Sequence, residues 1–293
     1  MTVLLTGATG FLGSHLLQRL INEGYDVIIL KRSFSNTWRI NEYLPHIKSY
    51  DIDLVELAKP FKDNKIDVVI HTATVYGRNN ESVSSLVDTN LMFSLKLLET
   101  ATFFNTDTFF NTDTLLYRYL NNYSLSKKQF VEWLKLFSEK IKCVNLKIEH
   151  MYGPNDDENK FVFKIISQIL KNVESIDLTP GEQKRDFIYV DDVVDAYMLL
   201  IGKITNAKKG FYEFDVGSGN QIFLKEFVLA VYKEIVKIRS INTKLKFGAI
   251  PYREGELMEI VEDIKPLQNL GWKAKTSLEE GIKKTITSIL NKY

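Results

Sequence analysis

Apolar positions along the chain change period several times, and each change marks an element. Thr2 to Thr6 ("TVLLT") is a short β-branched and apolar run that reads as a buried strand. "FLGSHLLQRLINEG" continues with helical spacing and stops at Gly24, a residue suited to the turn after a last helical residue. "DVIIL" (Asp26 to Leu30) and "IDVVIH" (Ile66 to His71) read as further strands, with another candidate at "SYDIDL" between them. Leu86 to Ala101 and Tyr123 to Lys140 are long amphipathic helices, and "KCVNLKI" (Lys142 to Ile148) is again a strand. Strands alternating with helices predict βαβ units, a parallel sheet and, with right-handed crossovers, a doubly wound α/β domain.

After Tyr152 the texture changes. "YGPNDDENK" is polar, and helices at Phe223 to Val236 and Ser277 to Lys292 then alternate with the short strand candidates "FIYV" and "YEFDV". The expectation is a first domain over 1–150 and a smaller α/β domain over 151–293, with a boundary that a chain of this kind can recross. Asp191 and Asp192 are expected to cap the helix that begins "VVDAYMLL".

Composition narrows the function classes. The 293 residues are 45% hydrophobic and 26% charged with net charge +1, so no global field points to nucleic acid or an anionic membrane. The single cysteine, Cys143, lies in an apolar run and reads as an inert buried thiol. The N-terminus lacks the apolar region of a signal peptide, and no apolar run approaches about 18 residues. A cytoplasmic protein without a metal site is expected.

"TGATGFLG" sets Gly7, Gly10 and Gly13 between the first strand and the first helix. The first glycine permits a tight turn, the second a close approach of backbone to a pyrophosphate, and the third close helix–strand packing. The helix N-terminus then offers N–H groups and a positive dipole end to the phosphates. Where an NAD site carries an acid at the end of the second strand, this chain has Lys31, Arg32 and Ser33. Two cations and a hydroxyl suit a 2′-phosphate, so NADP(H) is expected, with NAD as the alternative. Asp51 is positioned to accept from the adenine amino group or to serve as a turn residue. Thr9, Phe11 and Leu12 in the loop, Ile52 beside Asp51, and Thr72 and Ala73 after the fourth strand complete the expected cofactor contacts.

"YSLSK" puts Tyr123 and Lys127 at i and i+4, on one helix face. A lysine ammonium beside a tyrosine favours the phenolate, which makes the tyrosine a usable proton carrier. With the glycine loop upstream, this resembles the short-chain dehydrogenase/reductase superfamily, which adds a Ser or Thr at the end of the preceding strand. Phe103 to Thr114 reads "FFNTDTFFNTDT", the same six residues twice. The first copy abuts the helix ending near Ala101 and leaves no room for a turn and a strand. The second copy is therefore expected to be the strand, with Thr112 at its C-terminal end and Thr106 in a turn. Thr112 and Tyr123 are only 11 residues apart, closer than in most extended members.

"TGATGFLGSHL", "VVIHTA", "YSLSK", "YGP", "RDFIYVDDVVDA" and "GW" together are similar to the extended short-chain dehydrogenases, the NAD-dependent epimerase/dehydratase family, which act on nucleotide sugars. "KRSFSNTWRI", "NTDTLL" and "EHMYGPNDDENKF" look most like the CDP-abequose and CDP-paratose synthase group. The resemblance implies a Rossmann-type domain with a smaller C-terminal substrate-binding domain. It also implies NADPH-dependent reduction of a 4-keto-6-deoxy (or 3,6-dideoxy) sugar linked to CDP or dTDP, in deoxysugar biosynthesis. By the same resemblance Tyr123 donates the proton, Lys127 holds the nicotinamide ribose, and Thr112 hydrogen-bonds the substrate oxygen. Arg185 and Arg253 would grip the pyrophosphate, or else form surface salt bridges with Asp186 or Glu254. His150 matches an Asn that touches substrate in related epimerases, with a satisfied strand-end histidine as the alternative. Tyr76 and Arg78 would line the sugar pocket.

Other readings share the fold. A 4,6-dehydratase needs an acidic pair after the threonine, and here Thr114 follows Asp113, so the base is missing. An epimerase holding NAD tightly is the main alternative, and a non-catalytic NADP(H)-binding regulator is the remaining one. Related enzymes pair the two long helices across a two-fold axis, so a homodimer is expected, with Leu91, Phe130 and Leu134 facing either a partner or the chain's own sheet.

Overall fold

A computed structural model describes residues 1–78 and 80–291. Lys292, placed at the end of the last helix by its periodicity, lies outside the described residues. The first elements are β1 (Thr2–Thr6), α1 (Phe11–Asn22), β2 (Asp26–Lys31), β3 (Lys48–Asp51), α2 (Lys59–Asp63) and β4 (Val68–His71). They are followed by α3 (Val83–Val87), a π-helical turn (Asp88–Phe93), α4 (Ser94–Phe103), β5 (Thr108–Thr114), α5 (Asn122–Phe137) and β6 (Lys142–Ile148). Then come β7 (His150–Tyr152), α6 (Phe161–Leu170), β8 (Ser175–Leu178), β9 (Lys184–Tyr189), α7 (Val190–Ile204) and β10 (Phe211–Val216). The chain closes with β11 (Gln221–Phe223), α8 (Leu224–Val236), β12 (Lys244–Phe247), α9 (Lys265–Asn269) and α10 (Leu278–Leu290).

Two compact units result. The first comprises Met1–Ile148 and Val194–Val216, the second Glu149–Val193 and Gly217–Tyr293. The chain thus recrosses, and the smaller unit is assembled from two segments rather than from 151–293 alone.

The first unit is built on a seven-stranded sheet in the order β10-β6-β5-β4-β1-β2-β3, with every pair parallel. Its strands are near-continuous apolar runs because helices cover both faces. Leu4, Ile28, Val69, Phe109 and Cys143 pack with Leu97, Leu98, Phe130 and Leu134 from the helices. "YEFDV" is a correction: it is β10, an edge strand of this sheet paired with β6, not part of the smaller unit. Its sequence carries no mark of which sheet it joins.

The long helix expected over Leu86 to Ala101 is interrupted by the π turn. The extra residue per turn lets both Asn90 and Ser94 face inward, where they are fully buried, and Ser94 Oγ donates to the Asn90 carbonyl at 2.9 Å. Of the three apolar residues on these helices, Phe130 and Leu134 are fully buried against the chain's own sheet, and Leu91 packs partly against the same core. The exposed apolar residues include Met92, Phe103, Trp133 and Leu136. The doubled segment divides with Phe103 ending α4 and Thr106 in the connection, but the strand runs from Thr108 to Thr114, so Thr112 lies two residues inside it rather than at its C-terminal end.

The second unit has a three-stranded sheet, β11-β9-β7, and a two-stranded one, β12-β8. Its core joins α6, α8 and α10 through residues such as Ile166, Phe227, Val231 and Ile286. Asp191 and Asp192 are a second correction, since both lie inside the first turn of α7 rather than at its cap. The Asp192 carboxylate instead accepts from the backbone N–H groups of Lys275 (2.8 Å) and Thr276 (3.1 Å), and its carbonyl accepts from Trp272 Nε1.

The register of α5 is testable through stability. Phe130→Ala should destabilise the protein by about 3–5 kcal/mol, the cost of emptying a fully buried aromatic site. Gln129→Ala, exposed on the same turn, should change it by less than about 0.5 kcal/mol. Denaturant unfolding of the two variants checks the contrast, and equal losses would contradict the register.

Candidate active site

The glycine loop is shaped by close backbone approach. Gly7 sits at φ +72°, where other residues are strained, and a Cβ there would lie 2.6 Å from both Ala73 N and Thr72 Oγ1. A Cβ on Gly13 would run into the Gly7 carbonyl. Gly10 is the residue before α1 and offers no side-chain cap, so the helix begins with its positive end undressed. Thr72 Oγ1 donates to the Thr6 carbonyl at 2.8 Å, which ties the end of β4 to the loop. These features fit a dinucleotide pyrophosphate. Phe11 and Leu12 are buried behind the loop. Arg39, which sequence reasoning did not single out, reaches back so that Nη1 donates to the Thr9 carbonyl at 3.2 Å.

At the end of β2 the three expected residues separate. The β2–β3 register pairs Lys31 with Asp51, and the Lys31 ammonium is in contact with the Asp51 carboxylate. Ser33 donates through both N (2.8 Å) and Oγ (2.6 Å) to Asp53, holding that carboxyl below its usual range. Only the Arg32 guanidinium has no ion-pair partner among the described residues, and it lies 4.8 Å over the Phe34 ring. Ile52 N bonds to the Lys31 carbonyl at 2.9 Å.

Tyr123 and Lys127 occupy the first two turns of α5. The helix starts in a capping box: Ser124 N donates to Asn121 Oδ1 at 2.8 Å, and Asn121 N to Ser124 Oγ at 3.2 Å. Asn90 in the π turn fixes the next turn. Its Nδ2 donates to Ser126 Oγ (3.0 Å) and to the Val75 carbonyl (2.8 Å), and its Oδ1 accepts from Val75 N (2.8 Å). One buried amide therefore ties the loop after β4 to the residue beside Lys127. Apolar periodicity shows no sign of it.

The Tyr76 ring lies 5.0 Å from that of Tyr123, and the Arg78 guanidinium stands 5.1 Å over Tyr76. The structure thus brings Tyr76, Arg78 and Tyr123 together. Burial, then Tyr76 and Asp113, push the Tyr123 phenol well above its ordinary range, with Arg78 opposing. The depression expected from Lys127 is absent: Lys127 is not among the groups acting on the phenol, and burial dominates. Lys127 is 1% exposed, and burial pulls its pKa down to about 8, against the pull of Asp113 and with Lys128 adding to the fall.

Thr112 and Asp113 point to opposite faces of β5, as strand alternation requires. Thr112 Oγ1 is 2.7 Å from the hydroxyl of Tyr197 on α7, and no hydrogen bond joins it to Tyr123. Asp113 turns toward α5, where Lys128 Nζ reaches its Oδ2 at 2.7 Å. Asp113 is the side chain that sequence reasoning weighed only as half of a missing acidic pair. His71, fully buried, bridges Thr6 (2.7 Å) and Ser94 (2.8 Å), and burial followed by Lys127 holds it neutral, well below its ordinary pKa.

The second unit carries its own cluster. Glu256 bridges the two predicted arginines: Arg185 Nη2 lies 2.5 Å from Oε1, and Arg253 Nη2 lies 3.0 Å from Oε2. Neither of the neighbours expected as alternatives takes that place. Asp186 instead accepts from the backbone of Ser218 and Gly219. Arg185 is buried and Arg253 exposed. His150 Nδ1 is 2.9 Å from the Glu149 carboxylate, so it is a half-exposed histidine with one nitrogen already satisfied.

Comparison with known proteins agrees with this geometry. The chain is 38% identical over 97% of its length to "CDP-abequose synthase" of Salmonella muenchen, and covers 97% of that protein. It is 33% identical to the enzyme of the same name from Salmonella typhimurium, with 97% of each chain covered. A UDP-N-acetylglucosamine 4-epimerase from Methanobrevibacter ruminantium superposes over 100% of this chain and 99% of its own, with a TM-score of 0.85 at 23% identity. The model of the NAD dependent epimerase/dehydratase family matches residues 3–217, and the chain belongs to that family.

Proposed function

We propose that the protein is an NADPH-dependent reductase of a 4-keto-6-deoxy (or 3,6-dideoxy) nucleotide sugar, CDP- or dTDP-linked, acting in deoxysugar biosynthesis. The observation that carries the reading is Tyr123 and Lys127, one helical turn apart at the start of α5, with the Tyr76 ring 5.0 Å from that of Tyr123. The relative named CDP-abequose synthase supports the substrate class. Thr114 is buried, and its hydroxyl accepts from Leu116 N, so it offers no base for a dehydratase.

The bound cofactor supplies the hydride. Tyr123 gives its hydroxyl proton to the carbonyl oxygen that becomes the new alcohol. Lys127 holds the nicotinamide ribose, and its buried ammonium has no hydrogen-bond or ion-pair partner among the described residues to displace. Arg185 and Arg253 hold the diphosphate, with Glu256 keeping the two guanidinium groups oriented. Tyr76 and Arg78 line the sugar side of Tyr123.

Tyr123→Phe should retain cofactor binding and lose about 10²–10⁴-fold in turnover. Thr112→Ala should lose less. Thr106→Ala should leave turnover unchanged, because Thr106 Oγ1 is buried without a partner in the turn. Steady-state NADPH oxidation with a nucleotide-linked 4-keto sugar reads all three, and loss at Thr106 with none at Thr112 would reverse the roles of the two copies.

Asp51 and Asp53 place two carboxylates near the end of β2. That is the one observation favouring NAD, and with it an epimerase. Arg32 decides between the readings. Arg32→Ala should weaken NADPH by about 1.5–3 kcal/mol, the loss of a charge-assisted contact, and leave NADH unaffected. Fluorescence titration of both cofactors measures this, and an unchanged preference would favour NAD.

A homodimer would bury Trp133, Leu136 and Met92, three of the apolar residues that the two helices leave exposed. Light scattering at micromolar concentration should give twice the chain mass, and Trp133→Glu should give a monomer. A monomeric wild type would remove the dimer.

A further inference from the structure

Glu149 is the single residue between β6, which ends at Ile148, and β7, which begins at His150. The reaction above assigns it no step. Its side chain is 1% exposed, and a carboxylate in that position needs hydrogen bonds or a paired charge. Oε2 lies 2.9 Å from His150 Nδ1, while Oε1 is buried without a hydrogen-bond partner. Among the described residues the imidazole is thus the only hydrogen-bond partner of this carboxylate. The other ring nitrogen is placed differently. The His150 side chain is 37% exposed, and Nε2 makes no hydrogen bond among the described residues.

The β7–β9 register pairs His150 with Phe187, and their rings are 6.0 Å apart. Arg185 lies two residues before Phe187 on β9, so strand alternation puts it on the same face. His150 therefore shares a sheet face with a guanidinium read above as holding the diphosphate.

We propose that Glu149 is a positioning residue that fixes the proton of His150 on Nδ1 and so presents Nε2 as a hydrogen-bond acceptor to a hydroxyl group of the nucleotide sugar. This rests on the reading of Arg185 and Arg253 as the diphosphate grip. A neutral imidazole has one donor and one acceptor nitrogen, and the partner of the first selects the second. With the donor directed at Glu149, the outward nitrogen keeps its lone pair. It accepts from an alcohol and repels a carbonyl oxygen, so the pair selects a ligand with a hydroxyl at this place. The hydroxyl belongs either to the ribose or to the hexose, both of which flank a diphosphate.

The test reads the ring nitrogens directly. Long-range ¹H–¹⁵N NMR of the full-length protein, at a pH where the ring is neutral, should show His150 with a protonated Nδ1 and an unprotonated Nε2. Its signals are those lost in His150→Gln. Glu149→Leu, which removes the acceptor and nearly keeps the volume, should release the ring toward the Nε2–H form. CDP-glucose or dTDP-glucose should move the wild-type Nε2 resonance, and its affinity should fall about 2–10-fold in Glu149→Leu, the loss of one hydrogen bond. The same response to CDP or dTDP alone assigns the hydroxyl to the ribose; a response to the nucleotide sugar only assigns it to the hexose. A wild-type ring with its proton on Nε2, as a protonated Glu149 donating to Nδ1 would give, overturns the proposal. So do equal tautomers in wild type and Glu149→Leu, or an Nε2 signal indifferent to ligands that bind. If Glu149→Leu fails to fold, the wild-type tautomer and its ligand response decide alone. If no nucleotide binds, the nucleotide-sugar reading falls and the hydroxyl acceptor with it. An Nε2 response without any ketone reduction would leave the Glu149–His150 pair standing and remove the reductase reading.

Discussion

A lysine buried at the start of α5 is the constraint around which the C-terminal end of the sheet is organised. Lys127 is shut away from water, at 1% exposure. Burial alone would neutralise it. Burial dominates its titration and brings it to about 8, while the fully buried His71 on β4 is held neutral. Tyr123, one turn earlier, is only partly buried, yet desolvation again favours the neutral form, which for a phenol is the proton-bearing one.

The same face of the sheet is layered. Toward the N-terminal ends of the strands, Leu4, Val69, Phe109 and Cys143 form an apolar tier, in which burial pushes the Cys143 thiol up to about 12 and leaves it inert. Two residues further along each strand the tier is polar. Thr6 bonds His71, Asn111 bonds Asn145, Asn145 bonds Glu213, and Lys147 joins Glu213 and Asp215. Cross-strand register puts these side chains in rows, so that most of the buried polar atoms find a partner, although Asn111 Oδ1 and Asp113 Oδ1 have none. Strand C-terminal ends are where open α/β sheets carry their sites, and the switch from apolar to polar tier marks that end physically.

The alternation of strand and helix, the glycine cradle and the Tyr123–Lys127 pair were all legible, because each depends on local spacing. The doubled segment was legible too, since chain length alone left one copy free to be a strand. What escaped was non-local. Lys31 looked like a free cation until the β2–β3 register set Asp51 beside it. "YEFDV" has the pattern of any short strand, and only the recrossing of the chain carries it to the edge of the large sheet. The π turn keeps helical spacing nearly intact, so Asn90 gave no signal. Asp113 stood next to the expected Thr112, and strand alternation, not motif spacing, sends it to the face of α5.

The central claim is net ketone reduction on this site, and isotope transfer tests it most directly. The protein is incubated with NADPH deuterated on the nicotinamide at C4 and a CDP-linked 4-keto deoxysugar, and the nucleotide sugar is then weighed by mass spectrometry. One deuterium per sugar, with one cofactor oxidised for each product formed, is the predicted result. An isomerised sugar without net cofactor oxidation would contradict the account and identify an epimerase.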